Sequence, residues 1–239
     1  MNVVSAQGLS GPLPQHHLSD DLLAAYAAGS LDEASSLFVA SHLTLCPTCR
    51  HRASMLDDVG GVLLEDIAPV AMSAGALDAV LNRADGFADS AMNKAANDEP
   101  VSLADHRETV SGKDLPAPMR RYYGCDLDGI VWKRQGGGVS VASVPGLRDG
   151  SHAFMLKVEA GRAVPQHTHG GNELVMVLKG AYSDAAGRFG RGDVELADGD
   201  IDHQPKAEAG EDCICLAVTD APLRFTGRMG WLLNIFVKM

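Results

Sequence analysis

From residue 18 to residue 83 apolar side chains recur three and four positions apart, the spacing of one face of an α-helix. Ser19 is the expected N-cap of the segment 20-DDLLAAYAAG-29, and Gly29 its expected stop. Ser30 and Glu33 stand in the capping-box arrangement. Beyond them Leu31, Ala34, Phe38, His42 and Leu45 trace a single face, which places His42 on the core side near the end of its helix. A third helix is expected from Pro47 to about Leu64, and a fourth, weaker one from about Ala74 to Asn82, where Leu77, Val80 and Leu81 are apolar.

Between residues 84 and 118 the chain turns polar, with three prolines and little sustained apolar pattern, and reads as a linker with room for one short ordered piece. After it the period changes from helical to alternating. In 151-SHAFMLKVEAG-161, Phe154, Leu156 and Val158 share one face of a strand, and short strands follow one another between Gly and Asp turns, predicting an all-β barrel or sandwich. The fold class is therefore multidomain α + β: a helical domain over 13–83, a linker over 84–118 and a β domain over 119–239.

Charge separates the same regions. The net charge of −11 is carried mostly by residues 1–92, with 11 acidic and 3 basic side chains, whereas residues 119–239 hold 15 and 14. An acidic helical domain speaks against direct nucleic-acid binding and suits a basic protein partner; a merely soluble acidic surface would look the same. The first 17 residues have neither the basic start nor the apolar run of a signal peptide, and no window is apolar enough to span a membrane. The expected location is the cytoplasm, where five unevenly spaced cysteines serve metal or redox chemistry rather than a disulfide framework.

The first candidate site is 41-SHLTLCPTCRHR-52. His42 and Cys46 are one helical turn apart, Cys49 follows three residues later, and Pro47 suits the first turn of a new helix, so three ligands can converge at one helix junction. A structural zinc ion takes four thiolate or imidazole ligands, and His16 or His17 can supply the fourth. A thioredoxin-type pair would need a βαβ context that the sequence lacks; two buried structural cysteines are the plainer alternative. The pattern His-x3-Cys-x2-Cys in a small acidic helical domain resembles the zinc-containing anti-sigma domain. More closely, 16-HHLSDDLLAAYAAGSL-31 through 42-HLTLCPTCRHRA-53 is similar to the ChrR-type anti-sigma factors. The resemblance implies a fourth ligand 25 residues before His42, which is His17, and an extracytoplasmic-function sigma factor as partner, restrained until singlet oxygen or a related oxidant is sensed. It extends to 210-GEDCICLAVTDAPLRF-225 and covers almost the whole chain apart from the linker and about ten N-terminal residues.

The second candidate site is Gly161-x5-His167-x-His169-x3-Glu173-x6-Gly180, similar to the first cupin motif at every spacing. His167 and His169, two apart on a strand, point to one face, and the Gly170-Gly171-Asn172 turn returns the chain to Glu173. The second motif, from Gly192, departs from the family: Asp198 and Asp200 stand where proline and glycine are usual, and Ala207 replaces asparagine, yet His203 occupies the histidine position. His167, His169, Glu173 and His203 are the expected ligands of zinc or of another divalent transition metal such as iron, manganese or nickel. Cupin dioxygenases and isomerases share this ligand set, so a metal-dependent cupin enzyme with a helical regulatory domain is the rival to a non-enzymatic anti-sigma factor. Cys213 and Cys215 are expected on one strand face as small core side chains.

Overall fold

The computed structural model describes residues 13–95 and 114–227. These fall into two compact units: one joins the residues up to 60 to those from 114 onward, and the other holds 61–95.

The first unit opens with α1 (Asp20–Ala27), capped as expected by the Ser19 hydroxyl, which accepts the Leu22 N–H, and ended at Gly29, whose φ of 65° suits a glycine. α2 (Glu33–Leu45) starts differently from the sequence reading. Asp32, not Ser30, is its N-cap and accepts the Ser35 N–H at 2.7 Å, while the Ser30 hydroxyl turns back to the Ala25 carbonyl. Glu33 leaves the capping role because it has tertiary partners: its carboxylate accepts the Tyr122 hydroxyl at 2.8 Å and the Arg148 N–H at 2.6 Å. Asp149 and Ser151 in turn accept the first two helical N–H groups, those of Glu33 and Ala34. The Ser151 hydroxyl, with the Glu33 and Ser151 backbone, holds the Asp149 carboxyl down at about 2.

α3 (Pro47–Glu65) follows directly, with Pro47 at its start and only Cys49 and Ala53 buried. α4 runs from Ala76 to Ala95, well beyond Asn82, into a stretch whose lack of apolar periodicity hid it. The rest of the expected linker up to residue 113 lies outside the described residues. α5 (Ala117–Tyr123) closes the helical part, with Leu115 and Met119 fully buried.

The β region is antiparallel throughout. A six-stranded sheet has the order β1 (Lys133–Gly136), β2 (Val139–Ser143), β3 (Ala153–Val158), β10 (Cys213–Thr219), β5 (Glu173–Lys179), β8 (Val194–Ala197). It is faced by a pair, β11 (Leu223–Phe225) with β4 (His167–His169), and a triplet, β7 (Arg188–Gly190), β6 (Ala181–Ser183), β9 (Lys206–Ala207). This is the cupin barrel expected from the sequence.

Both faces of the large sheet are covered. Phe154, Leu156 and Val158 share a face, as the alternation predicts, and line an internal cavity of about 310 Å³. The opposite face carries Met155, Met176, Leu178 and Leu216, which join Phe38, Leu37 and Met119 of the helices in one core. That double burial explains why β10 reads CICLAVT without a polar gap: Cys213, Cys215 and Ala217 face the cavity, while Ile214, Leu216 and Val218 face the helices.

Candidate metal centres

Four side chains meet where α2 gives way to α3. His42 sits in the last turn of α2, Cys46 is its C-cap, Cys49 lies in the first turn of α3, and His17 stands just before α1. One ligand atom from each of His17, His42, Cys46 and Cys49 lies within 4.8 Å of the others. His17 Nδ1 is 3.3 Å from Cys46 Sγ and 3.7 Å from Cys49 Sγ. His42 is completely buried and neither ring nitrogen meets a partner in hydrogen-bond geometry. Burial pulls its pKa down to about 4, the nearby Gly192 backbone opposing only in part. Burial also raises the Cys49 thiol. Such a set is costly without a cation: two buried thiols and an unpaired imidazole are the donors a tetrahedral zinc ion uses, and its charge would reverse the cost of the thiolates. The residues fit zinc. His16 takes a different place, with its ring 4.4 Å from that of Phe189, and His51 is exposed.

The second centre lies at the polar end of the barrel cavity. β4 projects His167 and His169 inward, and an isolated bridge pairs His167 with His203, whose ring completes the group. One nitrogen from each of the three rings lies within 4.8 Å of the others, and the Nε2 atoms of His169 and His203 are 3.3 Å apart. The turn that sets this up needs its glycines: a Cβ on Gly171 would meet the Asp220 carboxylate at 1.9 Å, the group that accepts the Asn172 N–H. Glu173 lines the same cavity but does not join the three nitrogens. Its Oε2 is 3.4 Å from His169 Nδ1, outside hydrogen-bond geometry, and burial pushes its pKa up to about 7.

Three further polar side chains around the rings carry no motif. His203 Nδ1 is 2.8 Å from Asp184 Oδ2 and 3.5 Å from Glu195 Oε1, and Tyr182 donates to Glu195 Oε2 at 2.5 Å. Burial pulls the His203 pKa down, but its hydrogen bonds to the Glu195 and Asp184 carboxylates outweigh it and leave it raised. Burial lowers His169 to about 4, with the two neighbouring rings adding to the effect, and lowers His167 against the pull of the Pro165 carbonyl. Two neutral imidazoles, a third oriented by carboxylates and a nearby glutamate fit a divalent transition metal. Glu195 had one signal in the sequence, a charge at an inward position of a strand; Asp184 had none.

The chain thus has a helical His/Cys cluster and a histidine cluster in a cupin barrel. A putative zinc-finger family matches residues 19–50, and the ChrR cupin-like domain family matches residues 121–222. The chain is 46% identical over 227 residues to the anti-sigma-E factor ChrR of Cereibacter sphaeroides, covering 94% of this chain and 99% of that one. The crystal structure of Rhodobacter sphaeroides SigE in complex with the anti-sigma ChrR matches it with a TM-score of 0.70 and 46% identity, over 86% of this chain and 99% of the other. The protein belongs to the ChrR family of anti-sigma factors, and so to regulators rather than enzymes.

Proposed function

We propose that the protein sequesters an extracytoplasmic-function sigma factor through its N-terminal helices and lets it go when the cupin domain senses an oxidant of the singlet-oxygen type. The supporting observation is an unusual run of exposed apolar side chains on α3, α4 and the segment joining them, including Val62, Leu63, Ile67, Leu77, Val80 and Leu81, each more than half exposed. Apolar area of that extent in an acidic region suits a partner with an apolar contact surface and a basic, promoter-binding charge. The relative solved with SigE is a precedent for such a partner.

In this reading residues 13–83 form the sequestering domain, 84–118 the linker and 119–239 the sensing domain. His17, His42, Cys46 and Cys49 hold a zinc ion that ties α1 to the α2–α3 junction, adding stability that a small helical core lacks. His167, His169 and His203, with Glu173 beside them, hold zinc or another divalent transition metal, and the bound metal gathers oxidisable side chains at one place. The protein works in the cytoplasm, away from the membrane; no described helix is long and apolar enough to cross one.

A reporter driven by the cognate sigma factor tests both halves. Leu77→Glu with Leu81→Glu is expected to give high expression without any stress, because a charge is buried on docking; normal repression would remove α4 from the interface. His167→Ala with His169→Ala is expected to keep repression and lose the response to singlet oxygen; a normal response would remove the cupin centre from sensing.

A further inference from the structure

The ring of His17 is exposed and the segment that carries it has no regular structure, so nothing in its own packing fixes it as a ligand. Its two flanks are fixed instead. On the C-terminal side Arg52 of α3 donates to the Leu18 carbonyl at 3.1 Å and pairs with Asp20. On the N-terminal side the partner belongs to the cupin barrel: Asp193 Oδ1 accepts the N–H of Gln15 at 2.5 Å and of His16 at 2.8 Å, while its other oxygen accepts the Gly190 N–H at 2.8 Å. The Asp193 side chain is only 8% exposed, so these bonds are largely shielded from competing water.

The surrounding contacts point the same way. Val194 N–H approaches the His16 carbonyl at 3.4 Å, and the His16 ring lies against Phe189 of β7. Gly192, with φ of 87°, lets the barrel backbone come so close that an added Cβ would meet Pro14 Cγ at 2.6 Å. Residues 14 to 16 are therefore laid along the 189–194 segment that joins β7 to β8, and His17 is the next residue. Two positions beyond Asp193 the same strand carries Glu195 against His203.

We infer that Asp193 is a positioning residue for the N-terminal metal centre: the β7–β8 turn of the barrel holds the Gln15–His16 backbone and thereby delivers His17 to Cys46 and Cys49. The inference rests on the reading that this cluster binds zinc. A ligand held by its flanks returns to the metal each time it dissociates; a ligand on a loose arm does not, and the two thiolates are then open to attack.

The test is the alkylation rate of each cysteine by iodoacetamide in the zinc-loaded full-length protein, resolved by peptide mass spectrometry, with amide hydrogen exchange at Gln15 and His16 read alongside. Asp193→Ala is expected to speed exchange at both amides and to speed alkylation of Cys46 and Cys49 by about tenfold, the scale of lost support for a metal ligand. Alkylation of Cys213 and Cys215 inside the barrel is expected to stay unchanged. If those two also react faster, the barrel turn itself has been damaged and Gln15→Pro decides, because it removes the Gln15 N–H that Asp193 accepts while leaving the turn untouched; it too is expected to expose Cys46 and Cys49. Freed amides with wild-type alkylation of Cys46 and Cys49 would overturn the inference and leave the zinc reading intact. Equal alkylation of wild type with and without zinc would overturn the zinc reading itself.

Discussion

At His203 one imidazole faces two environments. Its Nε2 side meets His169, and its Nδ1 side meets Asp184, whose side chain is 1% exposed. With the ring's Nδ1–H donated to that carboxylate, Nε2 is left free as a metal donor, the usual way a protein fixes the tautomer of a ligating histidine. Asp184→Asn removes the charge but keeps the shape. It is expected to weaken metal binding at the cupin centre about 10- to 100-fold, measured by competition with a chelator, while the zinc held near Cys46 stays put. Most of the residues at the two centres were legible because ligand spacing is a local property: His-x3-Cys-x2-Cys on a helix and His-x-His on a strand each place donors on one face. Asp184 and Asp193 were not, and Glu195 only as a charge at an inward strand position, since a carboxylate that supports a ligand from elsewhere in the chain leaves no fixed offset. Glu173 stands where the motif puts it, yet in the described geometry it lies on the Nδ1 side of His169, apart from the three converging nitrogens.

Among the elements, α2 does the most. Its first turn is capped by its own Asp32 and by Asp149 and Ser151 from the loop after β2, its buried face meets the outer face of the β-sheet, and its last turn carries His42. Helical periodicity revealed the buried face correctly, through Ala34, Phe38 and Leu45. It misassigned the start, because the Ser30–Glu33 spacing says nothing of Tyr122 and Arg148, which claim the Glu33 carboxylate from far along the chain. Phe38 is among the largest fully buried side chains. Phe38→Ala is expected to cost about 3–5 kcal/mol of stability, with a lower thermal midpoint and a looser fit of α2 on the sheet, as measured by denaturant unfolding. The sheet itself was legible as alternation at β3, but not that its second face is also buried: an outward Met155 reads equally well as an isolated surface side chain.

For the whole molecule, the sequence placed two chemistries in two regions, and the charge imbalance separated them again. What it left open was their contact. In the described structure the helices that carry the His/Cys cluster and the barrel that carries the histidine cluster share one core, and one segment of the barrel contacts both His203 and the arm of His17. Glu195, which contacts His203, and Asp193, which holds the arm that carries His17, stand two residues apart on one segment of the barrel.

The most direct measurement is to purify the full-length protein with the extracytoplasmic-function sigma factor of its own host and determine the stoichiometry of protein and zinc in the complex, for the wild type and for Cys46→Ser. The account predicts an equimolar complex that retains zinc at the helical centre, and a Cys46→Ser variant that loses that zinc and no longer holds the sigma factor. A complex formed equally well by a variant without zinc at that centre, or a wild-type protein that binds no sigma factor, would contradict it.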